Sequence, residues 1–286
     1  PPPWRVGIEK SRNLMTVRLA HHIGMDKVVD VSKRFGIGER LHPNLANSLG
    51  SSEVTLLEMT NAYAMLVNGG KKIVPTFIDR IQDRYGKTIF QHDNRACIDC
   101  GDLVQWKHQM VPNIPDQRQR VSDPQKVYQI VSILEGVVQR GTARRMASLN
   151  IPLAGKTGTT NNSRDAWFIG FSPDLAVGVY TGFDTPKTLG KKETGSSVAA
   201  PIFKSFMEEA LKDVPATPFR VPEGMRQIRV NPKTGRRVSP LDSAGIWEAF
   251  VPGTDPESSS VLIDGGLSGE HRYQSDYNDL DMEELY

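Results

Sequence analysis

The sequence predicts an α+β fold in which helices pack on an antiparallel sheet. Three observations lead to this fold class. Helical periodicity fills much of the first 140 residues, short apolar runs separated by turn residues follow, and one more helix comes after the last run. Strands joined by tight turns pair antiparallel, so these runs form a meander. No stretch of about 18 apolar residues occurs, and a transmembrane helix is therefore not expected in this sequence.

Four stretches before residue 140 have the apolar periodicity and the end signals of helices. Ser11 is a candidate N-cap for the first, which ends at Gly24, and Gly36 and Gly38 close the second. The stretch 54–67 is apolar around most of its circumference, which indicates a helix buried in the core. The predicted helices span residues 11–20, 26–35, 54–67 and 123–139.

Two strand-like runs lie between the third and fourth predicted helices, three more follow the fourth, and a closing helix is predicted at 199–211. The turn Ser172-Pro173-Asp174 makes the last two strands a hairpin, and a strand leading into Lys156 precedes them. The predicted strands are residues 73–82, 88–91, 150–158, 165–171 and 175–183.

Composition divides the chain into parts. They are a stub at 1–10, a folded domain at 11–214 with an irregular insertion at 92–121, a basic extension rich in Pro and Gly at 215–253, and an acidic tail at 254–286 that we expect to be disordered. The chain begins with Pro1 and shows no signal peptide, so we expect it to be a fragment of a longer protein.

The net charge of +2 hides an uneven distribution of charge. The tail carries nine acidic residues and one arginine, which leaves about +10 on the rest. No basic stripe interleaved with aromatic residues occurs, so nucleic acid is not expected as a partner. The basic excess is interpreted as a solvated surface, and the alternative that it meets an anionic polymer or a lipid surface stays open.

The stretch 154–160 places one cation and several hydroxyls along a strand, with Gly158 allowing close approach of a ligand. Such an edge can hold a carboxylate. Gly155-Lys156-Thr157 could also end a phosphate-binding loop, but that motif requires glycine at Asn150 and a helix after the threonine. Both requirements fail. Lys-Thr-Gly also occurs, together with S-x-x-K, in penicillin-recognising serine enzymes.

Several ordered blocks resemble class A penicillin-binding proteins over about residues 5–212. They are Lys10–Arg18, Gly50–Met59 with Ala62–Ala64 and Asn68–Gly70, Gly155–Asn161 with Asp165–Phe168, and Gly195–Phe203. The resemblance implies a penicillin-binding transpeptidase or serine β-lactamase-like fold. It also implies a DD-transpeptidase that crosslinks peptidoglycan. In that family a serine attacks the D-Ala-D-Ala amide of one stem peptide, and an amine of a neighbouring stem then takes the acyl group. β-lactams mimic the dipeptide and trap the acyl-enzyme.

The resemblance also implies roles for particular residues. Ser11 would relay protons, and Lys156 would supply positive potential near Ser11 and the substrate carboxylate. Asn13 would bind the amide of the acyl donor. Thr157 and Thr159 would bind the terminal carboxylate, and the Thr159 N–H would form half of the oxyanion hole. The implied substrate-binding residues are Asn13, Thr157, Gly158 and Thr159. The reaction needs no cofactor, and no metal site is assigned to it.

The chain departs from the family in one respect: no serine has a lysine three residues further on. The nucleophile of the S-x-x-K motif is therefore absent, and we expect the chain alone to be inactive. A glycosyltransferase domain and a membrane anchor would also lie upstream. The alternative is a non-catalytic peptidoglycan-binding or scaffolding module of the same fold. A β-lactamase is disfavoured, because nothing in the sequence resembles its deacylating apparatus.

The implied partners are peptidoglycan stem peptides, β-lactam antibiotics and other cell-wall synthesis proteins. The implied location is the periplasmic side of the bacterial inner membrane, with membrane contact only through the missing anchor. Cys97 and Cys100 in the insertion could form a disulfide, remain free thiols, or bind zinc with His92 and His108. These three alternatives stay open.

Overall fold

A computed structural model of the 286-residue chain describes residues 2–38, 41–95 and 114–256. The α-helices in these ranges are α1 (Trp4–Glu9), α2 (Asn13–Ile23), α3 (Met25–Arg34), α4 (Leu56–Val67), α5 (Pro124–Gln139) and α6 (Ala200–Ala210). The strands are β1 (Arg80–Gln82), β2 (Thr88–Gln91), β3 (Ala154–Thr159), β4 (Ala166–Phe171), β5 (Ala176–Thr181), β6 (Arg226–Val230) and β7 (Ile246–Phe250). None of these helices is long and apolar enough to cross a membrane.

The central sheet has three antiparallel strands in the order β3-β4-β5. Lys156 lies opposite Ile169, and Ile169 lies opposite Gly178, so these three residues share one face. Helix α4 packs against that face, where a Cβ on Gly178 would collide with the hydroxyl of Thr60. Helix α6 packs on the other face. The sheet is therefore covered on both sides, and the predicted α+β fold class is confirmed.

Aromatic side chains fill the space between the sheet and the helices. The rings of Phe168 on β4 and Phe203 on α6 lie 4.7 Å apart between centroids, and both side chains are fully buried. Phe171 contacts Tyr63 of α4 on the opposite face, with ring centroids 6.2 Å apart. Removing such rings from water contributes roughly 1.5–3 kcal/mol each, so this cluster stabilises the packing of α4 and α6 on the sheet.

Local sequence signals account for the helix ends. Thr55 caps α4 in a reciprocal pair with Glu58, and Asp123 caps α5 just before Pro124. Gly24 ends α2 with a φ of 88°, which favours glycine. The helices predicted at 26–35, 54–67, 123–139 and 199–211 are confirmed to within two residues at each end.

Three details of the predicted elements are wrong. Ser11 is not an N-cap, because α2 begins at Asn13 and Ser11 lies in the turn after α1. The strand predicted at 73–82 is reduced to β1, since Pro75 has no N–H to donate to a ladder. In the helix predicted at 123–139, the apolar periodicity places Ile130 on the same side as Val127 and Val131, but 39% of the Ile130 surface is exposed.

Two segments that the sequence assigned to no element are folded. The predicted stub at 1–10 contains α1, in which Arg5 and Glu9 are buried. The predicted extension contains the pair β6–β7, here called the C-terminal hairpin, and its Ile228, Val230 and Ala249 are buried. Cys97, Cys100 and residues 257–286 of the predicted tail lie outside the described residues.

We expect Phe203→Ala to lower the free energy of unfolding by roughly 3–5 kcal/mol, because it leaves a cavity beside Phe168. Phe206→Ala is the matched control on the same helix, where half of the side chain is exposed, and it should cost less than about 1 kcal/mol. Urea unfolding followed by circular dichroism measures both values. Equal losses in the two variants would contradict this packing of α6.

Candidate active site

The site is centred on a contact between Lys156 of β3 and Ser11 in the turn between α1 and α2. The Nζ atom of Lys156 donates to Ser11 Oγ at 2.9 Å and to the carbonyl of Thr157 at 2.9 Å. The two side chains are 145 residues apart in the chain. The fold thus brings together the two residues to which the sequence assigned catalytic roles.

Burial changes the acid–base behaviour of Lys156. Removal from water disfavours its charged form and lowers the pKa of the amine to about 8. An amine with a pKa near neutrality can both donate and accept protons at physiological pH. Lys156 can therefore exchange a proton with the hydroxyl of Ser11 that it contacts.

Ser11 adopts a backbone conformation that non-glycine residues rarely use. Its φ is 52°, in the left-handed region. Its own N–H donates to Ile8 O at 3.2 Å, and the next N–H, of Arg12, donates to Gly7 O at 2.8 Å. These bonds fold the end of α1 into a turn that directs the serine towards β3. Backbone strain of this kind persists where the surrounding structure fixes it.

The hydroxyls of Thr157 and Thr159 lie on the face of β3 opposite Lys156. Thr157 Oγ1 is 2.9 Å from the hydroxyl of Thr142, which follows α5. Thr159 Oγ1 accepts from the N–H of Gly195 at 2.9 Å. Each hydroxyl is fixed by one partner, and each oxygen has further hydrogen-bonding capacity for a ligand.

Gly158 has a structural reason to be glycine. A Cβ there would lie 3.1 Å from the Cβ of Trp167 on the adjacent strand. Gly195 packs against the carbonyl of Gly158 and permits no side chain. Asn13, the first residue of α2, is exposed two residues after Ser11 and makes no side-chain hydrogen bond with the described part of the chain.

Sequence reasoning gave no role to Thr142, Gly195 or Ser196, which support β3. Ser196 Oγ donates to the carbonyl of Thr142 at 2.9 Å, so the turn before α6 and the turn after α5 are joined beside Thr157. Gly195 and Ser196 lie in the block Gly195–Phe203, which resembles the penicillin-binding family, but the resemblance assigned no contact to either residue. The sequence signal that could have identified these residues is the pair of a glycine followed by a hydroxyl residue at an element boundary, which occurs at Gly141-Thr142 and Gly195-Ser196.

An open cavity of about 380 Å³ adjoins the hydroxyl of Thr142. Arg144 and Arg145 contribute two exposed guanidinium groups to it. The cavity is lined by Gly141, Thr142, Arg144, Arg145, Thr194, Ser196 and Ser197. The two exposed arginines give this cavity a positive potential, which favours an anionic ligand.

Comparison with known proteins gives a consistent result. Residues 4–208 match the sequence profile of a family described as the penicillin binding protein transpeptidase domain. Penicillin-binding protein 1A of Rickettsia typhi is 48% identical over 247 residues, which cover 86% of this chain and 31% of the relative. The chain therefore spans about a third of the length of such curated relatives.

Solved structures are similar as well. The crystal structure of penicillin-binding protein 1A from Haemophilus influenzae has a TM-score of 0.74 and 32% identity, over 90% of this chain and 41% of that chain. PonA1 of Mycobacterium tuberculosis, solved in complex with penicillin V, has a TM-score of 0.58 and 20% identity. That match covers 76% of this chain and 58% of that chain, and it is a similarity of fold.

Lys156 is expected to titrate near pH 8, whereas exposed lysines titrate near about 10.4. Because the pKa in the folded chain is below that in the unfolded chain, the unfolded chain binds more protons between these two values. The contribution of Lys156 to stability therefore rises as the pH increases through this window. NMR of lysine side chains labelled with ¹³C measures the titration, and Lys156→Met identifies the resonance. A midpoint close to 10.4 would contradict the burial described here.

The strain at Ser11 can be separated from its hydroxyl. Ser11→Ala and Ser11→Gly both remove the contact with Lys156, but glycine adopts a positive φ without steric cost. We expect Ser11→Gly to be more stable than Ser11→Ala by roughly 0.5–1 kcal/mol in chemical unfolding. A less stable glycine variant would show that Ser11 does not hold this conformation in solution.

Proposed function

This chain belongs to the penicillin-binding protein transpeptidase family, and we propose that it forms the carboxylate-binding half of a DD-transpeptidase active site. Membership confirms the resemblance of the sequence blocks. The single observation that carries the proposal is the contact of Lys156 with Ser11 at 2.9 Å. The strand that carries this proton-transfer pair also carries hydroxyl donors suited to a peptide carboxylate.

The chemistry would proceed by serine acyl transfer. The serine of an S-x-x-K motif attacks the carbonyl of the penultimate D-Ala and loses its proton to an adjacent base. Ser11 and Lys156 pass a proton to the nitrogen of the terminal D-Ala, and the C–N bond breaks. D-Ala leaves and an acyl-enzyme remains. The amine of a second stem peptide then attacks the ester, and its proton returns through the same groups.

The β3 strand would orient the acyl donor. It is a terminal strand of the central sheet, so an extended peptide can align along its outer edge. We propose that the hydroxyls of Thr157 and Thr159 bind the terminal carboxylate and that Asn13 binds the donor amide. The N–H of Thr159 would stabilise the oxyanion. Removal of one such donor typically reduces the rate by ~10²–10³.

The further properties of the protein are also proposals. We propose that β-lactams bind at the same edge, because their carboxylate and amide copy those of the dipeptide. The structure of PonA1 with penicillin V shows that a protein of this fold binds such a ligand. A glycosyltransferase partner domain, a membrane anchor, a periplasmic location and contacts with other cell-wall proteins are proposed by analogy with class A penicillin-binding proteins.

No serine of this chain is followed by lysine at the third position, and we propose that the isolated 286-residue chain forms no covalent adduct with penicillin. The second candidate function, a non-catalytic peptidoglycan-binding module, rests on the same observation. The two functions differ in what happens when an S-x-x-K segment is supplied. A transpeptidase site becomes reactive towards penicillin, whereas a non-catalytic module does not.

A chimera separates these functions. In it, this chain replaces the matching 247-residue region of the Rickettsia typhi relative, which leaves the rest of that relative in place. We expect fluorescent penicillin to label the chimera but not the isolated chain. In the chimera, Lys156→Ala should lower the acylation rate by roughly 10²–10⁴, because it removes a proton-transfer group. Lys212→Ala, at an exposed position, is the control and should have no effect.

A folded chimera without label would contradict the transpeptidase and favour the non-catalytic module. Label on the isolated chain would contradict the assignment of the nucleophile to an S-x-x-K segment. Gel fluorescence after denaturation measures the covalent adduct, and circular dichroism confirms that each protein is folded.

A further inference from the structure

Four charged side chains form a cluster next to the Ser11 turn, in which Arg5 and Glu9 are buried and Arg140 and Glu248 are partly buried. Arg5 of α1 is only 5% exposed and donates to Glu9 at 3.0 Å, to both carboxylate oxygens of Glu248, and to Ser132 Oγ at 3.1 Å. Arg140 donates to Glu9 Oε1 at 2.7 Å. The cluster therefore joins two arginines and two carboxylates from α1, the end of α5 and the C-terminal hairpin.

The cluster continues into the candidate active site through the backbone. The carbonyl of Glu9 accepts from the N–H of Thr142 at 3.1 Å, and the Thr142 hydroxyl lies 2.9 Å from that of Thr157. Lys10, the residue before Ser11, donates through Nζ to the carbonyl of Arg140. The position of Glu9 thus fixes both the Ser11 turn and the threonine that contacts β3.

Two glycines show how closely these elements approach. A Cβ on Gly136 would collide with the carboxylate of Glu9, and a Cβ on Gly141 would collide with its carbonyl. The end of α1 therefore lies directly against α5, with no side chain between them. A small rotation of α1 would break the bond from Thr142 to Glu9.

We propose that Glu248 of the C-terminal hairpin is a positioning residue for the active site. It fixes Arg5, Arg5 fixes Glu9, and Glu9 holds the Ser11 turn and Thr142 against β3. This inference rests on the proposed function. Glu248 lies outside the matched region 4–208, so the hairpin adds a support to the site that the matched domain does not itself contain.

A carboxylate is required at this position for an electrostatic reason. Arg5 is buried and makes two of its hydrogen bonds to Glu248, so removal of that carboxylate leaves the guanidinium with Glu9 as its one hydrogen-bonded anion among the described residues, while Glu135 acts on it only through space. Arg5 would then turn towards solvent, and Glu9 would lose the partner that sets its rotamer. The hairpin has other attachments: Gln129 donates to the carbonyl of Ala249 at 3.0 Å, and Val230 is buried. Loss of Glu248 can therefore disturb the site without releasing the hairpin.

Hydrogen exchange on the 286-residue chain tests this role. In Glu248→Gln, we expect the Thr142 amide to exchange about tenfold faster or more, relative to the amides of β4 and β5, because its bond to Glu9 opens locally. Glu223→Gln makes the same change at an exposed position of the extension and should leave the rate unchanged. Val230→Ala weakens the hairpin by a cavity without removing a charge. Val230→Ala should accelerate exchange of the Thr142 amide no more than it accelerates exchange of the amides of β4 and β5.

A uniform acceleration of all these amides in Glu248→Gln would show a merely structural role and overturn the proposal. The chimera supplies the functional measurement. There, Glu248→Gln should reduce acylation by fluorescent penicillin about tenfold, while Glu223→Gln and Val230→Ala stay within about twofold. If the parent chimera is not acylated, the proposed function fails, and the exchange rates still decide whether Glu248 positions Thr142. If the chimera is acylated and Glu248→Gln matches its controls, only the positioning role fails.

Discussion

The structure depends on the approach of the Ser11 turn to β3, which ends in the 2.9 Å contact of Lys156 with Ser11. Two segments of the chain that are 145 residues apart must meet for that contact to exist. The turn follows α1, and α1 is fixed by the buried pairs of Arg5 with Glu9 and Glu248. Buried charges gain little net stability over apolar residues, but loss of one partner is costly. The cluster therefore specifies position more than it adds to overall stability.

The rest of the fold stabilises two residues of the site whose conformation or burial costs free energy. Ser11 has a left-handed backbone, and Lys156 is a cation partly removed from water. Neither would persist on a loosely packed support. The sheet that carries Lys156 is covered on both faces, by the ring of Phe203 on one side and by α4 on the other. The site accordingly combines a rigid strand with a strained turn, which is a frequent arrangement where a catalytic group must be held ready.

Local features were predictable from the sequence, and long-range ones were not. The helix predicted at 123–139 begins within one residue of its observed start, and the Lys-Thr-Gly strand was placed in the right sheet, because capping and strand patterns are encoded by neighbouring residues. The pair of Arg5 with Glu248 joins residues 243 apart and leaves no periodic signal. For that reason α1 was taken for a stub. The hairpin was missed although Ile228 and Val230 alternate with exposed or partly exposed residues, since arginines interrupt the apolar pattern.

The pKa of Lys156 is set by its burial in the folded chain. Burial alone lowers it to about 8, with no cation required nearby. The proton affinity of the amine therefore depends on how completely the surrounding protein keeps water from Nζ. Where water reaches Nζ, the pKa returns towards its ordinary value, and the fraction of unprotonated amine at neutral pH falls further. The contact with Ser11 thus accounts for the geometry of the amine, and burial accounts for its lowered pKa.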